Sequence, residues 1–220
     1  QAASLRPGGR NKEDSVASVS LRRKRRRGGE LIEFALVSTI LLPLLCGTVV
    51  VGMNLNRSIQ VAQVSRDAGH MYSRNVDFSD PANKRIIERL AEGLGITVSG
   101  GQGVVILSTV MFVGEAQCAA AGLAASACTN LNQPVITNRI VIGNASLRAS
   151  AFGTPSPDLI SSTGNVSNYL TNTTARASGF QSVLPMQAGD VAYVSEVYVS
   201  SSDYGLPGYE STGVYCRTIF

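Results

Sequence analysis

Few residues of this chain have types and spacings that could support catalysis or metal binding. His70 is the only histidine in the sequence, so a histidine-based triad or a histidine-rich metal site would lack its usual members. We interpret His70 as a structural residue. Four acids in the second half of the chain are too scattered to form a paired acid and base: Asp158, Asp190, Glu196 and Asp203.

The glycine-rich segment SGGQGVV at residues 99–105 has some likeness to a phosphate-binding loop. It lacks the Gly-Lys-Ser/Thr ending, and it precedes a predicted strand rather than a helix, so we predict a turn. The sequence also contains no nucleophile elbow and no metal-binding motif. We therefore expect a protein that is not an enzyme and has no cofactor or metal.

The cysteines suggest a disulfide rather than a metal site. Cys118 and Cys128 bracket the small-residue loop AAAGLAASA, and a bridge between them would stabilise the fold by about 2–3 kcal/mol. Pairing of Cys216 with either residue is the alternative that the sequence leaves open. Cys46 lies in an apolar segment and is expected to pack as a small apolar side chain.

Glu33 is the carboxylate with the most unusual surroundings. It is the only acid in the apolar run from Leu31 to Met53. A carboxylate at the edge of a bilayer core is costly and usually has a partner. The simpler alternative is that Glu33 extends to the interface and needs no partner.

Charge is distributed unevenly along the chain. Residues 1–28 contain nine Lys/Arg and two acids, whereas residues 29–220 contain ten Lys/Arg and thirteen acids. The body is therefore mildly acidic, and we do not expect it to bind nucleic acid. The apolar share of 44% excludes a disordered protein.

Residues 34–53 form a stretch of 20 residues without a charge. As a helix this stretch spans about 30 Å, the thickness of a bilayer core. The six cations at residues 22–27 precede it and Arg57 alone closely follows it, which predicts a cytoplasmic N-terminus and an exported body. A cleaved secretory signal is disfavoured, because the run is long and no A-x-A site follows it.

The sequence RGGELIEFALV at residues 27–37 resembles the class III signal of type IV pilins. It is closer still to the TadE-like pseudopilins of tight-adherence (Flp) pili, and the resemblance is strongest over residues 22–75. It implies cleavage between Gly28 and Gly29, which makes Glu33 the fifth residue of the mature chain. Phe34 is then the sixth, where the major Flp pilins usually have tyrosine. Cleavage after Gly29 would leave Glu33 fourth and is the less favoured position.

The resemblance also implies partners and a location. It implies a minor pseudopilin that is part of a tight-adherence pilus or primes its assembly, in a bacterial inner membrane that it crosses once. Its partners would be a prepilin peptidase, other pilins and pseudopilins, and the inner-membrane assembly platform. Glu33 would pair with the N-terminal ammonium of a neighbouring subunit, although Glu30 departs from the motif and could compete. The alternative is a membrane-anchored binding protein or adhesin whose helix is only a tether.

The elements that position these residues predict an α+β fold. We expect a leader at residues 1–28, a transmembrane and assembly helix at residues 29–53, and an exported pilin-like domain at residues 54–220. The helix should extend over about residues 31–75, with its second half packed on the domain. Asp80 and Pro81 predict the start of a second helix, which Gly93 and Gly95 should end.

The remainder of the domain has the composition of strands and turns. Four segments rich in Val, Ile, Tyr and Phe predict an antiparallel sheet of about four strands: residues 103–113, 133–143, 188–200 and 211–220. Alternation along the third segment predicts one face on the helix and one face outward. Long exposed loops are expected at residues 153–157 and 161–178.

Overall fold

A computed structural model describes residues 27–200 and 213–220. The predicted leader at residues 1–28 therefore lies outside the described residues except at its last two positions. Asp203 and the first two residues of the predicted fourth strand also lie outside them. The chain divides into two compact units between Val49 and Val50.

The first element is the long helix α1, Arg27–Ser73. It begins four residues before the predicted start and ends two residues before the predicted end. In the part of the chain that the structure describes, α1 is the helix long and apolar enough to cross a membrane, by length and composition. Pro43 lies inside α1, where a membrane helix tolerates it.

Within the second unit, the later turns of α1 pack on a sheet. The buried residues of this part of α1 recur at helical spacing on one side: Val61, Val64, Ala68 and Tyr72. The Tyr72 hydroxyl donates to Asn138 Oδ1 at 2.8 Å and shares a hydrogen bond of 2.8 Å with Thr109. Burial raises the pKa of Tyr72 to about 12, so this hydroxyl stays protonated at neutral pH.

A short helix, α2 (Pro81–Leu90), begins where predicted but ends at Leu90, before the predicted end at Gly93 and Gly95. The Asp80 side chain accepts a hydrogen bond from Ala82 N at 2.8 Å and caps the helix, with Pro81 in its first turn. A 3-10 turn at Glu92–Leu94 comes next, and Gly95 ends it with a φ of +66°. A glycine suits that left-handed position because it has no Cβ.

Six strands follow. A small hairpin pairs β1 (Ile96–Thr97) with β2 (Gly100–Gly101), so the glycine-rich segment forms a turn and the start of a strand rather than a phosphate loop. The strands of the main sheet are β3 (Gly103–Phe112), β4 (Pro134–Gly143), β5 (Val191–Val199) and β6 (Val214–Ile219). Their order in the sheet is β4-β3-β5-β6, with every neighbouring pair antiparallel. The predicted α+β fold with a sheet of about four strands is confirmed.

The prediction that one face of the sheet points outward is wrong. Ala192, Val194 and Glu196 lie on the face opposite α1, and all three are buried. The segment at residues 144–187, which includes the short helix α4 (Phe180–Val183), covers this face. The buried side chains that it contributes include Phe152, Val166, Ala175, Ala177 and Phe180.

The loops predicted to be exposed are therefore anchored at intervals. In residues 161–178, exposed Ser, Thr and Asn alternate with buried Val166, Ala175 and Ala177. The polar composition of this segment did not predict its packing, because the buried apolar side chains are few and have no regular spacing. The segment is a cover for the sheet, not a set of free loops.

The disulfide lies in a separate small cluster. Cys118, in helix α3 (Glu115–Ala120), is bonded to Cys128 with a Cα–Cα distance of 6.0 Å. This is the pairing that the short loop favoured. Cys216 is half-buried and free, and Cys46 is exposed and free.

Loss of this disulfide should weaken the domain without abolishing its fold. We expect Cys118→Ser to lower the free energy of unfolding by about 2–3 kcal/mol, since the bridge closes a short loop. Denaturant unfolding of the oxidised wild type and the variant would measure the difference. Non-reducing peptide mapping should recover the peptide that joins Cys118 to Cys128; a peptide containing Cys216 in disulfide linkage would contradict the assignment.

Candidate functional site

The first turns of α1 contain the residues singled out by the sequence. Large apolar side chains are exposed there, including Leu31 at 70%, Ile32 at 66% and Phe34 at 72%. Exposed large apolar residues continue along the helix as far as Ile59. A monomeric soluble protein rarely exposes so much contiguous apolar surface, so this surface requires lipid or other protein chains around it.

The predicted cleavage position lies on open backbone. Gly28 and Gly29 belong to the first turns of α1, and a Cβ added to either would meet no atom within 4 Å. The Glu33 side chain is exposed and has no hydrogen bond or ion pair with another residue in the described ranges. Gly29 and Glu33 are four residues apart and therefore lie on one side of the helix, one turn from each other.

Residues 28–70 match the family model for the TadE-like protein family. This segment is similar to TadE-like proteins. It lies within α1 and includes Gly28, Gly29, Glu33 and Phe34. No curated protein and no solved structure matches the chain. The TadE-like match supports a component associated with a Tad pilus, with α1 as its candidate membrane helix.

His70, near the end of α1, lies away from any predicted chemistry. The His70 side chain is exposed, and its ring centroid is 4.5 Å from the ring centroid of Phe220. The Phe220 ring lies over Gly69, where a Cβ would come within 2.2 Å of it. Within residues 27–200 and 213–220, no group of three metal-ligating side chains is close enough to hold an ion. These contacts fit the structural role predicted for His70.

A buried polar cluster around Glu196 is the feature that sequence reasoning missed. Glu196 is 2% exposed. Its carboxylate accepts hydrogen bonds from Tyr215 Oη at 2.6 Å and from Ala151 N at 2.8 Å, and it accepts another from Ser150 Oγ. Burial, and then the hydrogen bond to Glu196, raise the pKa of Tyr215, so the phenol keeps the proton that it donates.

Arginines surround this carboxylate on the same face of the sheet. The Arg148 guanidinium lies 4.2 Å from the ring centroid of Tyr215. The Arg217 guanidinium lies 4.6 Å from the ring centroid of Phe152. Arg139 is buried and donates to the Gly153 carbonyl at 2.8 Å. Burial lowers the pKa of Arg139 to about 10, and the charge of Glu196 opposes that shift.

The cluster anchors the start of the cover at residues 148–153 to the sheet. Apart from the hydrogen bond between Tyr215 and Glu196, which joins β6 to β5, these contacts join that segment to β4, β5 or β6 through hydrogen bonds or through an arginine stacked on an aromatic ring. The alternation along β5 separates Glu196 from Val197 and Val199, which face α1, but it does not indicate which of the two sets faces the helix. The burial of the face that contains Glu196 was not predictable from it, since the covering residues have no periodic pattern.

Proposed function

We propose that the chain is a minor pseudopilin, a structural or assembly-priming component of a tight-adherence pilus. The observation that carries this proposal is a carboxylate, Glu33, that has no partner among the described residues and lies in an exposed apolar helix within the TadE-like match. Such a helix needs apolar neighbours along its length, and such a carboxylate needs a cation. Subunits of a filament that pack their N-terminal helices together would supply both.

Maturation by a prepilin peptidase would create that cation. Hydrolysis of the Gly28–Gly29 peptide bond leaves a carboxylate on Gly28 and an ammonium on Gly29. It also removes the Arg-rich segment that retains the N-terminus in the cytoplasm. The chain is substrate in this step, and we propose no enzymatic activity of its own.

Before assembly, the proposed location is the bacterial inner membrane. The N-terminus would be cytoplasmic and residues 54–220 would lie on the far side, within reach of other pilins and the assembly platform. The acidic body and the absence of a basic region after residue 28 support protein partners rather than nucleic acid.

Cleavage at Gly28 is directly testable. In cells with an active prepilin peptidase, membrane-purified protein should have the mass of residues 29–220. Gly28→Val should block this processing, because a branched side chain would stand at the scissile bond, whereas Gly47→Val, further along α1 at a position equally open, should be processed normally. Intact-mass analysis distinguishes these products.

A wild-type chain that keeps residues 22–27 in such cells would contradict the pseudopilin assignment. The chain would then fit a tethered binding protein or adhesin, for which neither Gly28 nor Glu33 is needed. The peptidase must be shown to process the major pilin in the same cells, so that absence of cleavage is informative.

A further inference from the structure

A cavity of about 570 Å³ lies beside α1, just beyond the end of the uncharged run. One wall is the face of α1 that contains Met53, Asn56, Arg57 and Gln60, and the other wall includes Gly93 and Gln102. Volumes of about 300–1,000 Å³ are typical of pockets that bind small ligands. None of the roles proposed above uses this cavity.

The lining has the chemistry of an anion site with neutral donors around it. Arg57 supplies the charge, and the amides of Asn56, Gln60 and Gln102 supply hydrogen-bond donors and acceptors. Arg57 is half-buried, yet its guanidinium has no hydrogen bond or ion pair with any residue of the described ranges. A guanidinium presents its donors in a fork that matches phosphate oxygens.

Space in the cavity depends in part on a glycine. A Cβ at Gly93 would lie 3.3 Å from Gln60 Oε1, so even the smallest side chain there would press on that amide. Met53 adds an apolar surface at the end of the cavity nearest the uncharged run. The lining is therefore mixed: one charge and three amides lie beside the apolar side chains of Met53 and Leu94.

The position of Arg57 along α1 matches a phosphate layer. Arg57 follows Met53 by four residues, a rise of about 6 Å along the helix. The headgroup region on each side of a bilayer core is about 5–7 Å thick. If the core ends at Met53, Arg57 lies at the depth of the lipid phosphates on the exported side.

We propose that this cavity binds the phosphodiester headgroup of a phospholipid from the outer leaflet of that membrane. The Arg57 guanidinium contacts the phosphate, the amides contact the glycerol and ester oxygens, and the acyl chains pass Met53 toward the bilayer. The inference rests on the proposed membrane insertion of residues 34–53. A bound lipid would hold the base of the domain at the membrane surface before the subunit leaves the bilayer.

Lipid retention by the full chain tests the site. Wild type, Arg57→Gln, Arg57→Lys and Arg66→Gln would be extracted from membranes in a mild detergent, and native mass spectrometry would count the bound phospholipid. Arg66 is the matched control, because it is exposed on α1 and does not line the cavity. We expect Arg57→Gln to retain about tenfold less lipid, since a charge-assisted bond is lost. Arg66→Gln should retain most of it, and Arg57→Lys, which keeps the charge without the fork, should retain an intermediate amount.

Delipidated wild type would then be titrated with inorganic phosphate and with a short-chain phosphatidylglycerol. Binding of the lipid with only weak binding of phosphate supports a headgroup site, whereas equal binding of both overturns it in favour of a free-anion site. Equal lipid retention by wild type and Arg57→Gln also overturns the proposal. Carbonate extraction of membranes tests membrane insertion separately from the lipid site. A protein that stays in the membrane but holds no bound lipid refutes the lipid site alone. A protein that carbonate releases refutes membrane insertion.

Discussion

Glu33→Gln should give a subunit that enters the membrane and is cleaved, yet co-purifies with the major pilin about tenfold less than wild type. Insertion should survive, because loss of a charge makes the helix more apolar. Assembly should suffer, because an amide offers a neutral hydrogen bond to the Gly29 ammonium in place of an ion pair in a low dielectric. The measurement is affinity co-purification, with the mature mass of the variant determined on the same sample.

Glu30→Gln is the matched control for this expectation. Glu30 lies in the first turn of α1, three residues from Glu33. Its replacement by glutamine changes charge and shape in the same way as Glu33→Gln. It should assemble nearly as well as wild type if Glu33 alone pairs with the ammonium. Glu33→Gln that assembles like wild type would instead show that Glu33 extends to the interface without a partner. A loss caused equally by both variants would assign the effect to net charge.

The long helix and the strands were predictable because each has a strong local pattern. An uncharged run of 20 residues, followed by apolar residues at helical spacing, determines α1 with little help from the rest of the chain. The four strands follow from runs of Val, Ile and aromatic residues between turns. Asp80 with Pro81 predicted the start of α2 for the same reason, since capping is local chemistry.

The order of the strands and the burial of the sheet face opposite α1 were not predictable in this way. Pairing of β3 with both β4 and β5 depends on contacts between residues far apart in sequence. The cover at residues 144–187 has the composition of a polar loop, because its buried side chains, such as Phe152 and Phe180, are isolated among Ser, Thr and Asn. Burial of Glu196 is a consequence of that cover, and no local signal reports it.

Removal of the Glu196 carboxylate should cause a large loss of stability in the sheet domain. Glu196→Ala leaves the donors of Ser150, Ala151 and Tyr215 without their acceptor in a buried site. Unsatisfied buried donors and the cavity left behind should together cost about 3 kcal/mol or more. For a chain of this size the midpoint of thermal unfolding should fall by about 10 °C. Circular dichroism of the mature chain in detergent measures this shift.

Two further variants separate the hydrogen bonds from the charge. Glu196→Gln preserves the shape and one acceptor oxygen, so it should cost less than half as much as Glu196→Ala. Glu92→Ala, at an exposed acid, should change stability by about 0.5 kcal/mol or less. Because Glu196 holds the start of the cover, Glu196→Ala should also increase trypsin cleavage after Arg148, below the unfolding temperature. The opposite result would be that Glu196→Ala has the same unfolding midpoint as Glu92→Ala and that trypsin cleavage after Arg148 does not increase. The carboxylate would then not anchor residues 148–153, and apolar contacts such as that between Phe152 and Phe180 would hold the cover instead.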